Sequence, residues 1–217
     1  MKIVKLQPSQ HVSGRWLLWL EDGTLVRVGE GEVASFGLRA GMELSDETWE
    51  ELTAAAGFAA AREKALSLLS ARPLSRRELV DKLTARPAGG RKEPAADEAT
   101  AQAVADRLEE LGYLNDGDYA CMVAKHYTAK GYGPAKIRDE LYRRGVPRDL
   151  WDGALEELEE PEDTAARIDA FLEKRLRGKE PDRETLRKAG AALARRGFRW
   201  EDIRDGLCRW GGDPEED

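Results

Sequence analysis

At 217 residues, with 41% apolar and 35% charged side chains, the chain holds enough material for one large domain or two small ones with a buried core. Its formal net charge of −7 argues against a protein that simply coats nucleic acid, and only Cys121 and Cys208 occur, without a CxxC neighbour. A disulfide framework or zinc site is therefore not expected, and a reducing cytoplasm is the default.

Taken from the start, MKIVKLQPSQ lacks an h-region and cleavage site, so no secretion signal is expected, and no stretch approaches the roughly 18 apolar residues of a membrane span. RWLLWLEDGTLVRV (15–28) sets apolar runs on either side of Asp22-Gly23, a hairpin signal, because glycine supplies the positive φ that a tight turn needs. Ser45 precedes Asp46 and Glu47, an N-cap with carboxylates in the first turn. A short helix is expected to run to about Ala56 and stop at Gly57, which closes a small β-containing module over 1–57.

From residue 58 onward the pattern is helical. Ala61, Ala65, Leu68 and Leu69 have helical spacing before Pro73. In LSRREL, Ser75 can cap the amide of Glu78 while Glu78 reaches back, with Leu74 and Leu79 as a hydrophobic staple. A polar Gly/Pro loop covers 85–96, and a helix then begins near Asp97, with Ala101, Val104, Ala105, Leu108 and Leu111 on one side. Gly112 is placed as a left-handed stop, with Tyr113 closing on Leu108; the same spelling recurs around Gly145-Val146 and Gly197-Phe198. Asn115 or Asp116 caps the next helix, Gly131 stops it, and Pro134 opens another.

ELYRRGVPRDLWDGAL (140–155) aligns without gaps on ALARRGFRWEDIRDGL (192–207). This recurrence divides the remainder into three three-helix units, 58–114, 115–160 and 161–212, ahead of an acidic tail at 213–217. The expected fold is mainly α: an elongated tandem array of nine helices behind the β-containing module. Leu79, Leu83, Leu108, Ile137, Leu141, Leu150, Trp151 and Leu155 are expected in its core.

The chemistry of an enzyme is missing from the pattern. There are two histidines, and His126 shares a helical side with Tyr119, Val123 and Tyr127, which places it at the edge of a core. The only Gly-Lys is followed by Glu180, which rules out a Walker A loop. Asp116 and Asp118 have no further ligand at metal spacing and read as capping residues. No catalytic residue, metal or cofactor is expected. The charge is uneven, however: Lys125–Arg148 carries seven basic against two acidic residues, which suggests a specific polyanionic or acidic partner.

LSRRELVDKL (74–83), LEELGYLNDGDYA (108–120) and KGYGPAKIRDELYRRGV (130–146), in this order and spacing, resemble the RecX family of bacterial modulators of RecA recombinase. The resemblance covers about residues 60–210; the loop at 85–96 is longer than the family's first unit normally carries, and Asn115 stands where an acid is expected. It implies a cytoplasmic regulator in DNA repair, recombination and the SOS response. Such a protein lies in the deep groove of the RecA–single-stranded DNA filament. There it inhibits strand exchange, ATP hydrolysis and RecA-stimulated repressor self-cleavage.

Partner binding is expected on the helix beginning at Pro134, through Lys136, Arg138, Arg143 and Arg144, which pair with RecA carboxylates or filament phosphates. Arg195 and Arg196 repeat the last two positions, and Arg72, Arg76, Arg77 and Lys82 form a similar group in the first unit. The competing reading of Arg143 and Arg144 is that they only complement the negative end of their helix. The chain is expected to act as a monomer, off the membrane, with direct contact to single- or double-stranded DNA left open. The alternative is a tandem helix-turn-helix-like DNA binder that acts without RecA.

Overall fold

The computed structural model describes residues 1–86, 93–156, 161–178 and 180–211. The loop expected at 85–96 lies largely outside the described residues, and the acidic tail lies wholly outside them. The protein is mainly helical, with ten α-helices among the described residues and a small antiparallel sheet at the N-terminal end. It divides into two compact units: Met1–Pro73 with Leu79–Tyr113, and Leu74–Glu78 with the chain from Leu114 onward.

In the first unit, β1 (Ile3–Pro8), β2 (Arg15–Leu20) and β3 (Leu25–Gly29) pair in sequence order, with Ile3 opposite Leu20 and Trp16 opposite Val28. The expected β2–β3 turn is present. Gly23 has φ +84°, and the Asp22 carboxylate accepts the Thr24 N–H at 2.8 Å. Alternation along β2 buries Leu18 and Leu20, which join Ile3, Val28, Leu38, Leu44, Leu52 and Ala56 in one cluster. Neither β1 nor the short α1 (Glu30–Ser35) was expected from the sequence.

The expected stop at Gly57 is overturned. Ser45 does cap the Thr48 amide, but α2 continues without a break over Asp46–Ala71. One glycine costs a helix about 1 kcal/mol relative to alanine, and alanines on both sides with a packed face outweigh that cost. Leu52 and Ala56 of α2 close the sheet's cluster, while Ala61 and Ala65 are buried further along, where α2 packs on α4 (Glu98–Glu110). Asp97 caps α4 through the Thr100 N–H at 2.8 Å, and Ala101, Val104, Ala105 and Leu108 form its buried side. The staple residues Leu74 and Leu79 flanking the start of α3 (Arg76–Thr84) are both buried.

The second unit contains two bricks, each with its own core. In one, α5 (Asp116–Ala129), α6 (Pro134–Arg143), a single 3-10 turn (Arg148–Leu150) and α7 (Trp151–Glu156) enclose Tyr119, Val123, Ile137, Leu141, Val146 and Leu155. In the other, α8 (Pro161–Leu176), α9 (Arg183–Arg195) and α10 (Trp200–Arg209) enclose Ile168, Leu172, Leu193, Phe198 and Ile203. Leu150 and Trp151 are only partly buried at the margin of the first brick.

Two further expectations need correction. Tyr113 makes the predicted backbone closure, its N–H donating to the Leu108 carbonyl at 2.9 Å, but its ring is 63% exposed and Leu114 goes inside instead. His126 is exposed, with its ring edge-on to Tyr127 at 5.5 Å, because α5 turns Tyr119, Ala120, Val123 and Ala124 toward the core.

A Cβ added to Gly57 would meet nothing within 4 Å. Gly57→Ala is therefore expected to raise stability by up to about 1 kcal/mol, read as a higher urea midpoint with unchanged slope; a lower midpoint would contradict this account of α2.

Candidate partner-binding surface

The ten basic residues singled out by sequence take different places. Helix ends decide most of them, since each end leaves backbone groups without intrahelical partners. In α3 the first turn belongs to the second unit. There Ser75 and Glu78 form the expected capping box, Glu78 N–H to Ser75 Oγ at 3.1 Å and Ser75 N–H to the Glu78 carboxylate at 3.3 Å. The buried Ser75 hydroxyl also donates to the Arg144 carbonyl at the end of α6. The Arg76 N–H donates at 2.7 Å to Asp116, at the start of α5. Asp116 thus serves the neighbouring helix, while Asn115 caps its own, accepting from Gly117 and Asp118.

The same joint recurs one brick on. At the start of α6, the N–H groups of Gly133 and Ala135 donate to the carbonyls of Arg196 and Gly197, at the end of α9, at 2.8 and 3.0 Å. At both joints a donor from the start of one middle helix thus meets a carbonyl at the end of another. Glycine is required on the acceptor side. Gly145 and Gly197 have φ of +72° and +85°, and a Cβ would strike the Arg77 side chain at the first and the Lys136 backbone at the second.

Arg144 and Arg196 are used inside these joints. Arg144 donates to the Tyr119 hydroxyl at 2.8 Å, and that hydroxyl donates to Glu78 at 2.7 Å. The Arg144 guanidinium also lies 3.7 Å from Glu140 and 4.0 Å from Glu78. Burial, reinforced by the bond to Glu78, pushes the Tyr119 phenol above its ordinary value. Arg196 donates to the Gly131 carbonyl at 3.1 Å and lies over the rings of Phe171 and Tyr132, 4.8 and 5.6 Å from their centroids.

Their immediate neighbours face outward. The Arg143 side chain is 69% exposed, tethered only at its tip by Glu140, and Arg195 is exposed at the equivalent position. Arg138 pairs with Asp152 at 3.1 Å within its own brick, and Lys136 is half-buried at the α9 joint. Arg77 is exposed beyond the stem that rests on Gly145, and Arg76 is half-buried. Arg72, whose guanidinium donates to the Pro73 carbonyl at 3.1 Å, and Lys82 are exposed residues of the first unit.

Sequence reasoning missed the joint itself: Glu78, Asp116, Tyr119 and Gly133 act on a neighbouring brick, and Glu140 pairs with the arginines at the end of its own helix. One signal was available. Arginine and glycine repeat at 144–145 and 196–197 in register, which a free surface would not demand.

Two family models match, described as the second three-helix domain of RecX over residues 115–155 and the third over 162–207. Regulatory protein RecX of Lactobacillus delbrueckii subsp. bulgaricus is 30% identical over 91% of this chain and 71% of its own length. That of Pseudomonas entomophila is 37% identical over 66% of this chain and 87% of its own. The chain belongs to the RecX family. Its RecX fold is also seen in a crystal structure of regulatory protein RecX, which superposes with a TM-score of 0.73 over 96% of this chain and 98% of that one at 24% identity. RecX from Lactobacillus salivarius gives 0.63 over 71% and 97% at 20% identity. Among the described residues of this chain, no three His, Cys, Asp or Glu side chains are grouped to hold a metal ion, and no helix is long and apolar enough to cross a membrane.

Gly197→Ala should cost about 2–4 kcal/mol, from left-handed strain plus the clash with Lys136, whereas Gly112→Ala, equally left-handed but open to solvent, should cost only about 1–2. Urea denaturation of the two variants separates strain from joint; equal losses would show that the joint carries nothing.

Glu140 gives a pH prediction. It is 7% exposed, and burial alone would push its carboxyl up. Hydrogen bonds from Arg143 and Tyr127 and the charges of Arg143 and Arg144 outweigh burial and hold it below the ordinary 4.5. A carboxyl lowered on folding contributes stability that is complete above the unfolded value and is lost as pH falls through the folded one. Between about pH 6 and about pH 3 the natural protein should therefore lose more stability than Glu140→Gln does. Parallel curves would remove Glu140 from the acid limb.

Proposed function

We propose that the chain regulates RecA by lying along the groove of the RecA–single-stranded DNA filament. There it slows ATP hydrolysis, strand exchange and RecA-stimulated repressor self-cleavage. Membership of the RecX family supports RecA as the partner. The observation that carries the mode of binding is the repeated joint. It presents Arg143 and Arg195 at equivalent exposed positions of two successive bricks, held one helix apart by backbone hydrogen bonds. A helical polymer offers its carboxylates and phosphates at regular intervals, and a rigid pair of arginines engages two of them with the gain in effective concentration that linkage brings.

This reading assigns the external contacts first to Arg143 and Arg195, with Arg77, Arg72 and Lys82 as further exposed cations, and with Lys136 and Arg138 at the margin. Arg144, Arg196 and Arg76 contribute by keeping the bricks in register.

The test is the DNA-dependent ATPase of a cognate RecA filament at low salt. Sub-stoichiometric amounts of the protein should slow hydrolysis, and Arg143→Glu with Arg195→Glu should weaken that suppression about tenfold or more, with helicity unchanged by circular dichroism. Full suppression by the double variant would move the contact elsewhere, and no effect of the natural protein would refute the function.

A further inference from the structure

In each brick of the second unit the fold leaves one large aromatic ring in solvent. Tyr142 is 63% exposed and Trp200 64%, the two exposed Phe, Tyr or Trp rings among the described residues of the second unit. Tyr142 lies in the last turn of α6 and Trp200 opens α10, so they flank the corner after the middle helix from opposite sides. In the alignment of 140–155 on 192–207, Trp200 falls on the position of Arg148.

The first corner is an ordered stack. The Trp151 indole N–H donates to the Val146 carbonyl at 3.0 Å, which fixes that ring. The Arg148 guanidinium lies 5.7 Å from the Trp151 centroid and 6.0 Å from that of Tyr142, within cation–π range of both. Tyr142 thus ends a three-layer ladder of ring, guanidinium and ring, with Arg143 next to it in the chain. In the second corner Trp200 opens α10, with Arg195 five residues before it.

We propose that these corners stack unpaired nucleobases, so that the chain holds single-stranded nucleic acid directly. At the first corner an exposed ring with a cation stacked on it matches what a nucleotide presents, a π-face and a phosphate; Trp200 adds a second exposed ring, and stacking tolerates any base. An acidic peptide would use the arginines but leave the rings idle. Spacing adds to this. α6 separates the corners, with its end at Gly145 and its start joined to Gly197. The ten residues of α6 give about 15 Å by helical rise, a reach of roughly four nucleotides at the 3.4 Å spacing of stacked bases. The inference deepens the filament reading and rests on it for the source of the strand, since a nucleoprotein filament carries single-stranded DNA along its length.

The full-length protein is titrated, without RecA and at low salt, into fluorescein-labelled oligothymidylates of about three and about fifteen nucleotides and a duplex of about fifteen base pairs. Anisotropy should show the long single strand bound at least about tenfold more tightly than either other probe. Tyr142→Ala and Trp200→Ala, both surface changes, should each weaken it about 5- to 150-fold, while Trp200→Phe keeps most of the affinity. No binding of the long strand, a duplex held equally well, or alanine variants that bind as the natural protein does would each overturn the proposal. RecA ATPase suppression is measured on the same samples and tests the other reading. Suppression retained with aromatic-independent oligonucleotide binding sinks the stacking proposal alone; aromatic-dependent binding without suppression sinks the filament reading alone. Variants that lose suppression but bind the strand normally would place the rings on protein, again overturning stacking.

Discussion

Every helix end leaves N–H or C=O groups that need partners, and in this protein the ends of the middle helices supply one another. The carbonyls that close α6 and α9 receive donors from the helix of the preceding brick, a serine hydroxyl in the first case and two backbone amides in the second. A hydrogen bond made end to end fixes distance and direction, which a purely apolar contact does not. The separation of equivalent surface points is then set by the length of a helix, a quantity that thermal motion barely changes. The close approach leaves no room for a Cβ at Gly133, Gly145 or Gly197.

This constraint divides the work between adjacent arginines. A residue at the last turn of a helix points about 100° away from its neighbour. Where the second arginine of the pair reaches back into the joint, the first faces solvent. Arg144 is held by Tyr119 and flanked by carboxylates, and Arg196 by a carbonyl and two rings; Arg143 and Arg195 keep their charge accessible. Charge that looks alike in the chain thus becomes one structural and one external group per brick. The two joints reach this with different chemistry, a polar relay through Glu78 and Tyr119 in one and cation–π contact in the other, as expected where only geometry is repeated.

Much of the local architecture was legible because its causes are local. Ser45 and Ser75 cap as read, a helix starts at Asp97 where one was expected, and Gly112, Gly131, Gly145 and Gly197 take the left-handed conformation after their helices. Errors fell where a neighbour at long range outvoted the local signal. Gly57 failed to stop α2 because that helix is packed along both halves of its length. Tyr113 kept its backbone role but yielded the interior to Leu114, and His126 was displaced outward by the side of α5 that the brick buries. β1 escaped notice because a strand without a tight hairpin of its own is defined by the strand it pairs with.

By itself, then, the sequence determined the helical class, the recurrence at 140–155 and 192–207, the starts and stops of most helices, and the family. These are written in periodicity, capping residues and glycines, each acting within a few residues of itself. Tertiary structure alone decided which arginine of each pair faces inward, that Asp116 caps a helix not its own, and that Tyr142 and Trp200 remain in solvent. Those outcomes depend on which helix end meets which. That meeting joins residues 40 to 70 positions apart, a distance over which composition and spacing carry no directional information.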